Sequence, residues 1–340
     1  MAIGFKEISA QKRKADCLWA MGLSLLALLV YALTISTGVY PGESARLMAT
    51  YSGLTPLELP LHPIWGVVVS WLSSLSLFTL PLRLNLFSML CTVISVGLLY
   101  RLVAFLIHEI IYEEYSVEYS ARVSQWAGVV AAIAFMFSVP VWQSATRLQY
   151  QSFDMLLVLM SASLLISFAR TKWRVFLVAF ASLQGIGVVE SVIFIPLAPV
   201  FLVFLVAVLW KQGQLTLNRV AWMGLIAAAG LGLYYLVARR FLASPDAEAL
   251  GFTMPFDVVI AVWKAQLAEL RSGLSRVNWL ILLLTSVVPW LAAAFASFRA
   301  LNNERSWSQY ILHLTLTLLV VLGLGNAVIS PWEILKPLGR

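Results

Sequence analysis

Apolar runs close to twenty residues long recur along this chain, and that recurrence leaves few folds open. A helix needs about 20 such residues to cross a ~30 Å hydrocarbon core. Within lipid only helices and closed barrels satisfy every backbone N–H and C=O. Clear runs cover 17–37, 84–106, 126–142, 153–169, 174–189, 191–209, 220–238, 278–298 and 310–330. They predict an all-α integral membrane protein with about nine spans. Only 11% of the residues are charged and 61% are hydrophobic, against roughly a quarter charged in an average soluble domain, so a soluble class is excluded. The first run follows Lys6, Lys12, Arg13 and Lys14 without a small-residue cleavage site and is expected to be a retained helix.

Charge placement decides one ambiguous segment. Residues 63–80 are apolar, but Ser70, Ser73 and Ser74 gather on one helical face. If this segment crossed the membrane, Arg170/Lys172/Arg174, Lys211/Arg219 and Arg299/Arg305 would all lie outside. If it lies along the interface, all three clusters fall inside with the N-terminus, as the positive-inside rule requires. Residues 63–80 are therefore read as a juxtamembrane helix and the N-terminus as cytoplasmic. The outer face then receives 38–83, the turn 143–152, the hairpin apex at Glu190 and the loop 239–277. In that last loop Phe256, Val259, Ile260, Trp263, Leu267, Leu270 and Leu274 recur at helical spacing over 255–275, opposite Asp257, Lys264, Gln266, Glu269 and Arg271. Such a stripe suits an amphipathic helix in the headgroup region, as an anchor or a guide for substrate. No soluble domain, long linker or internal repeat breaks the chain, so 1–340 reads as one transmembrane domain. Its end at Arg340, soon after a span, is expected of a piece of a longer protein.

Against this apolar background the loop T-G-V-Y-P-G-E-S-A-R-L, residues 37–47, stands out. Ionisable groups at a membrane edge are candidates for chemistry. Glu43 either caps the helix that begins near Ser44 or serves as a functional carboxylate. Arg46 either pairs with Glu43 within one turn or contacts substrate. Arg147, Arg239 and Arg240 are further outer-face cations able to grip a phosphate through the guanidinium fork, although Arg147 could equally snorkel to headgroups. His62 precedes a proline and reads as a turn residue or a ligand. Glu190, with Gly185 and Gly187 just before it, is either a solvated apex or a site residue. Trp65, Trp71, Trp126, Trp210 and Trp279 near span ends read as an aromatic belt.

Competing chemistries are absent from the sequence. It has no phosphate-cradling glycine loop, no CxxC and no HExxH. His62, His108 and His313 are too far apart in sequence to make a dedicated zinc site by spacing. Cys17 and Cys91 both fall in apolar helices, which argues against a disulfide. The net charge of +7 comes from basic residues at span ends, with no continuous patch, so nucleic acid is not an expected partner.

Several stretches resemble a known family. T-G-V-Y-P-G-E-S, L-P-L-H-P-I-W, R-L-N-L-F-S-M-L-C-T-V-I-S-V-G-L-L-Y-R-L and A-F-M-F-S-V-P-V-W-Q-S-A-T-R-L-Q-Y are similar to the DUF2723, protein O-mannosyltransferase-like family of GT-C membrane glycosyltransferases. The resemblance runs over 20–205. Its most specific pieces are the P-G-acid-S loop, N-x-x-S at Asn85–Ser88 and F-S-x-x-x-W at Phe137–Trp142. It implies a GT-C-like bundle with interfacial helices on the outer face, placed in the bacterial inner membrane. It also implies transfer of a sugar from a polyprenyl-phosphate donor to an acceptor protein or glycan. Glu43 would occupy the general-base position, and a divalent metal (Mg or Mn), with Glu43 as its ligand, would help hold the phosphate in some members.

The chain departs from that family pattern at several positions. Ala45 and Arg46 replace Gly and Glu, Gln149 and Gln151 replace Glu and Tyr, and Glu190 replaces a histidine. Glu58 and His62 stand in a loop that usually reads H-P-P-G-Y-P. Glu58, His62, Gln149 and Glu190 are placed with Arg46, Arg147, Arg239 and Arg240 as the expected substrate and phosphate contacts. The changes leave open a non-catalytic relative that binds a lipid-linked glycan or a membrane partner. A secondary transporter would instead carry paired, broken inverted repeats, which the sequence does not show.

Overall fold

The computed structural model describes residues 10–273, apart from 57, 58, 77, 112–116, 245, 246 and 249. Among the described residues twelve helices follow one another, and there is no strand. They are α1 (Ala10–Thr34), α2 (Glu43–Tyr51), α3 (Pro63–Ser74), α4 (Leu80–Ile111), α5 (Val117–Met136) and α6 (Val139–Thr146). Then come α7 (Gln151–Thr171), α8 (Arg174–Glu190), α9 (Phe194–Lys211), α10 (Leu217–Leu231), α11 (Leu233–Leu242) and α12 (Pro255–Gly273).

Seven of the nine predicted spans fall on described residues, and all seven are helical. The spans 278–298 and 310–330, with His313 and Trp279, lie outside the described residues. Among the described residues, four segments are long and apolar enough to cross a bilayer: Lys12–Thr34, Leu80–His108, Gln151–Thr171 and Leu217–Leu242. A fifth is reached only if α5 and α6 count together, and these meet at a 64° bend. The expected continuous span 126–142 is thus broken. Ser138 is extended and Pro140 sits in the first turn of α6, where its missing N–H and fixed φ suit a fresh helix start. The expected helix 63–80 is also shorter: α3 stops at Ser74, Leu75 is extended, and α4 begins at Leu80.

Small residues let the first three long helices approach closely, as membrane helices require. Gly97 of α4 faces Ser24 and Ala20 of α1, and Gly128 of α5 lies against Tyr100. Ser24 donates to the Val93 carbonyl at 3.2 Å and Tyr31 to the Met136 carbonyl at 2.8 Å. These pairings make α1 and α4 antiparallel and α1 and α5 parallel. The opposite side of α1 exposes Leu18, Met21, Leu25, Leu29 and Leu33. An apolar stripe of that length belongs against lipid.

Helices α7, α8 and α9 build the second core around Leu165, Phe168, Phe180, Phe201 and Leu209. Helix α10 crosses α8 where Gly185 meets Gly230. Helix α12 is found close to its expected range, but its faces differ from expectation. Val258, Val262 and Gln266 are buried against Tyr234, Ala238 and Phe241, while Phe256, Ile260, Trp263 and Leu267 are exposed. Gln266, expected among the outward polar residues, faces inward. Trp65 likewise leaves the expected belt: it is 1% exposed and packs with Met48, Val69 and Leu84.

One end of the bundle collects the segments that charge placement had grouped together. Ser36 N–H donates to the Thr146 carbonyl, Asn85 Nδ2 to the Ser36 carbonyl at 2.7 Å and Ser88 Oγ to the Gln149 carbonyl at 3.3 Å. The N-x-x-S juncture at the head of α4 therefore ties both loops to one helix end.

Candidate functional site

At that end the first turn of α3 leaves backbone N–H groups with no partner inside the helix. His62 is the N-cap and Pro63 follows it, and no local side chain caps the turn. The cap comes from a distant helix. Glu190, the last residue of α8, accepts from Ile64 N–H at 2.6 Å through Oε2 and from Trp65 N–H at 3.0 Å through Oε1. An anion is favoured at a helix N-terminus, and Glu190 is 0% exposed there. Glycine lets α8 lie close to α10 and to Phe194: a Cβ on Gly185 would collide with the Ala227 carbonyl, and one on Gly187 with the Phe194 ring.

Asp154 enters from the first turn of α7 and is buried. Its Oδ2 accepts from Ser191 Oγ at 2.7 Å and lies 3.7 Å from His62 Nδ1. The His62 ring stacks on Tyr150, with centroids 3.7 Å apart and planes 21° from parallel. One ligand atom each of His62, Asp154 and Glu190 lies within 4.8 Å of the other two. Asp154 Oδ1 is buried with no hydrogen-bond partner among the described residues. Neither carboxylate pairs with a lysine or arginine among them.

Burial pushes the Glu190 carboxyl up to about 8, and the neighbouring Asp154 charge adds to the rise. His62 and the two N–H donors oppose it. Desolvation of a buried charge is the largest of these effects, and the donors offset only part of it. Gln266 steadies the backbone beside both residues. Its Nε2 donates to the carbonyls of Leu61 and Val189, each at 3.3 Å, and its Oε1 accepts from Tyr234 at 2.8 Å. Leu61 and Val189 immediately precede His62 and Glu190, so one side chain on α12 ties both ligand-bearing turns together.

The structure brings His62 and Glu190 of the predicted set together, in a cluster that does not include Glu43. Glu43 opens α2 after Gly42, whose φ of 93° only glycine adopts readily. Its Oε1 lies 3.7 Å from Arg46 Nη2, and both side chains are substantially exposed. Arg147 lies over the Tyr40 ring, 3.2 Å from its centroid. Burial lowers its guanidinium from the ordinary value, with Tyr40 opposing. Gln149 is engaged locally, its Oε1 accepting from Ser144 at 3.0 Å. Arg239 and Arg240 are exposed at the end of α11, and Glu58 lies outside the described residues. Sequence reasoning did not single out Asp154. The signal was present, since a lone aspartate at the head of an apolar span is a functional candidate by its position alone.

Residues 58–215 match a protein family described as the protein O-mannosyl-transferase TMEM260 N-terminal domain. No curated protein and no solved structure matches the chain. The match covers less than half of the chain and is a likeness to a protein O-mannosyltransferase-like family. It spans His62, Arg147, Gln149, Asp154 and Glu190 and begins after Glu43 and Arg46.

Proposed function

We propose that this chain is a membrane glycosyltransferase that moves a hexose, mannose by the family match, from a polyprenyl-phosphate carrier to a hydroxyl acceptor at the outer membrane face. The observation that carries this reading is the match over 58–215 together with the convergence of three ionisable side chains inside it. Polar groups gathered at one end of an apolar bundle suit a substrate with a lipid tail and a charged head.

In the transfer step the acceptor oxygen bonds to the anomeric carbon and the bond from that carbon to the carrier phosphate oxygen breaks. The polyprenyl phosphate leaves with the bonding pair, and the acceptor proton goes to a carboxylate base. Glu43, about a third exposed (36%) at the head of α2, is the base in this reading. Its accessibility suits a group that meets an acceptor from water, and general bases contribute about 10²–10⁴-fold. Arg46 and Arg147 stabilise the negative charge that develops on the leaving phosphate.

The ion pair between Glu43 and Arg46 favours a second reading, in which the chain only binds a lipid-linked glycan. One experiment separates the two. The full chain in detergent is given short-chain polyprenyl-phosphate mannose and a serine- and threonine-rich peptide pool, and release of polyprenyl phosphate is followed beside donor binding. The transferase reading expects release to fall about 10²–10⁴-fold in Glu43→Gln with binding unchanged. Release that is absent in the wild type while donor still binds leaves the binding reading; release that is equal in the variant removes Glu43 as the base.

A further inference from the structure

The group at the junction of α3, α7 and α8 combines one imidazole with two carboxylates from three separate helix ends. Two buried carboxylates side by side, with no lysine or arginine between them among the described residues, are an unstable arrangement by themselves. Hydrogen bonds account for Glu190, both of whose oxygens accept from α3. They do not account for Asp154, whose Oδ1 is buried and without a hydrogen-bond partner among the described residues. A buried charged oxygen left in that state costs several kcal/mol, which points to a positively charged occupant.

We propose that His62, Asp154 and Glu190 form a three-ligand site for one divalent cation, with Mn²⁺ or Zn²⁺ as the fitting class. The proposal rests on the transferase reading for its purpose and moves the expected metal from Glu43 to this cluster. Donor chemistry selects the ion. Mg²⁺ keeps to oxygen ligands and holds several waters, whereas an imidazole beside carboxylates suits Zn²⁺ or Mn²⁺. Ligand atoms sharing one ion with bonds near 2.1 Å stand about 3–4 Å apart. The present spread, within 4.8 Å with His62 Nδ1 and Asp154 Oδ2 3.7 Å apart, closes with side-chain movements of about 1 Å.

The surroundings also have the form of a metal centre's outer shell. Ser191 donates to Asp154, two backbone N–H groups hold Glu190, and Tyr150 fixes the His62 ring plane. Such partners orient ligands before the ion arrives. A dication balances the two carboxylates and leaves the cluster electrically neutral with a neutral imidazole. Three protein ligands leave further coordination positions open, which would offer a phosphate oxygen of the lipid carrier a Lewis-acid contact.

The test uses the full chain in detergent, stripped with a chelator and dialysed. Mn²⁺ is titrated while free ion is read by electron paramagnetic resonance, Zn²⁺ stoichiometry is measured by elemental analysis, and melting is recorded with and without each ion. One equivalent per chain and a raised melting temperature are expected. His62→Ala and Asp154→Asn, which leave the Glu190 cap on α3 intact, should each melt near the stripped wild type. Each should lose more than the roughly 10–100-fold in affinity that outer-shell changes bring. Glu43→Gln should bind like the wild type. No stoichiometric binding by the wild type, binding unchanged in the two ligand variants, or loss confined to Glu43→Gln overturns the site. Transfer is assayed separately: metal binding without transfer would sink the transferase reading alone, and transfer without bound metal would sink this site alone.

Discussion

Glu190 is held between opposing demands. Its carboxylate caps α3 from 126 residues away in sequence, yet burial and Asp154 favour the protonated form. The consequence for the chelated protein has a definite sign. A carboxyl whose folded value is raised from 4.5 to about 8 contributes stability that is fully present below 4.5 and is lost as pH rises through about 8. Melting temperature in chelator should therefore fall across that window, and Glu190→Gln should flatten the fall. At the acid end, where Glu190 is protonated, that variant should be about 1–3 kcal/mol less stable, because its amide NH2 would face an α3 N–H donor-to-donor where the carboxyl still offers an oxygen. A wild-type melting curve that does not move with pH would remove Glu190 as a buried titrating group. At this scale the sequence was legible in part. Glu190 and His62 could be singled out as polar groups among apolar neighbours. Their meeting could not, because it depends on how α3 docks against α8, and Asp154 passed as the polar start of a span.

The crossing of α8 and α10 depends on close backbone contact between them. Gly185 and Gly230 meet backbone to backbone, so Gly185→Ala would press a methyl group into the Ala227 carbonyl and force the helices apart. Overpacking of this kind costs about 1–3 kcal/mol. Gly224, also on α10, has open space where a Cβ would go, so Gly224→Ala should be neutral or slightly stabilising, by up to ~1 kcal/mol of helix propensity. Melting of the two variants side by side tests the contrast, and equal behaviour would argue against the close crossing. Helix existence was readable from apolar runs, and every predicted span on described residues is helical. Helix breaks were less so. Pro140 and Ser138 signal a start, but the 64° angle at which α6 leaves α5, and the contact of its last residue with Ser36, are contained in no local pattern. The inward turn of Gln266 was hidden for the same reason: its partners at Leu61, Val189 and Tyr234 come from three other segments.

Across the whole molecule the two ends differ in kind. At one end Asp16 gathers Lys12, Tyr100 and Gln125 around the start of α1. At the other, loops and helix ends converge on His62, Asp154 and Glu190, with Arg147, Glu43 and Gln149 on adjoining segments. Composition and charge placement made this grouping readable before any coordinates, because segments that leave a bilayer on one face must meet there. The proposal that the second end receives a polyprenyl-phosphate sugar is tested most directly by a photoreactive donor. A short-chain polyprenyl-phosphate mannose bearing a diazirine is bound to the full chain in detergent, irradiated, and its attachment sites are mapped by mass spectrometry. Labels on residues 36–51, 62–65, 147–154 or 190–191, competed away by unlabelled donor, are the predicted result. Competed labels around Asp16, Tyr100 and Gln125, with none at the opposite end, would contradict it.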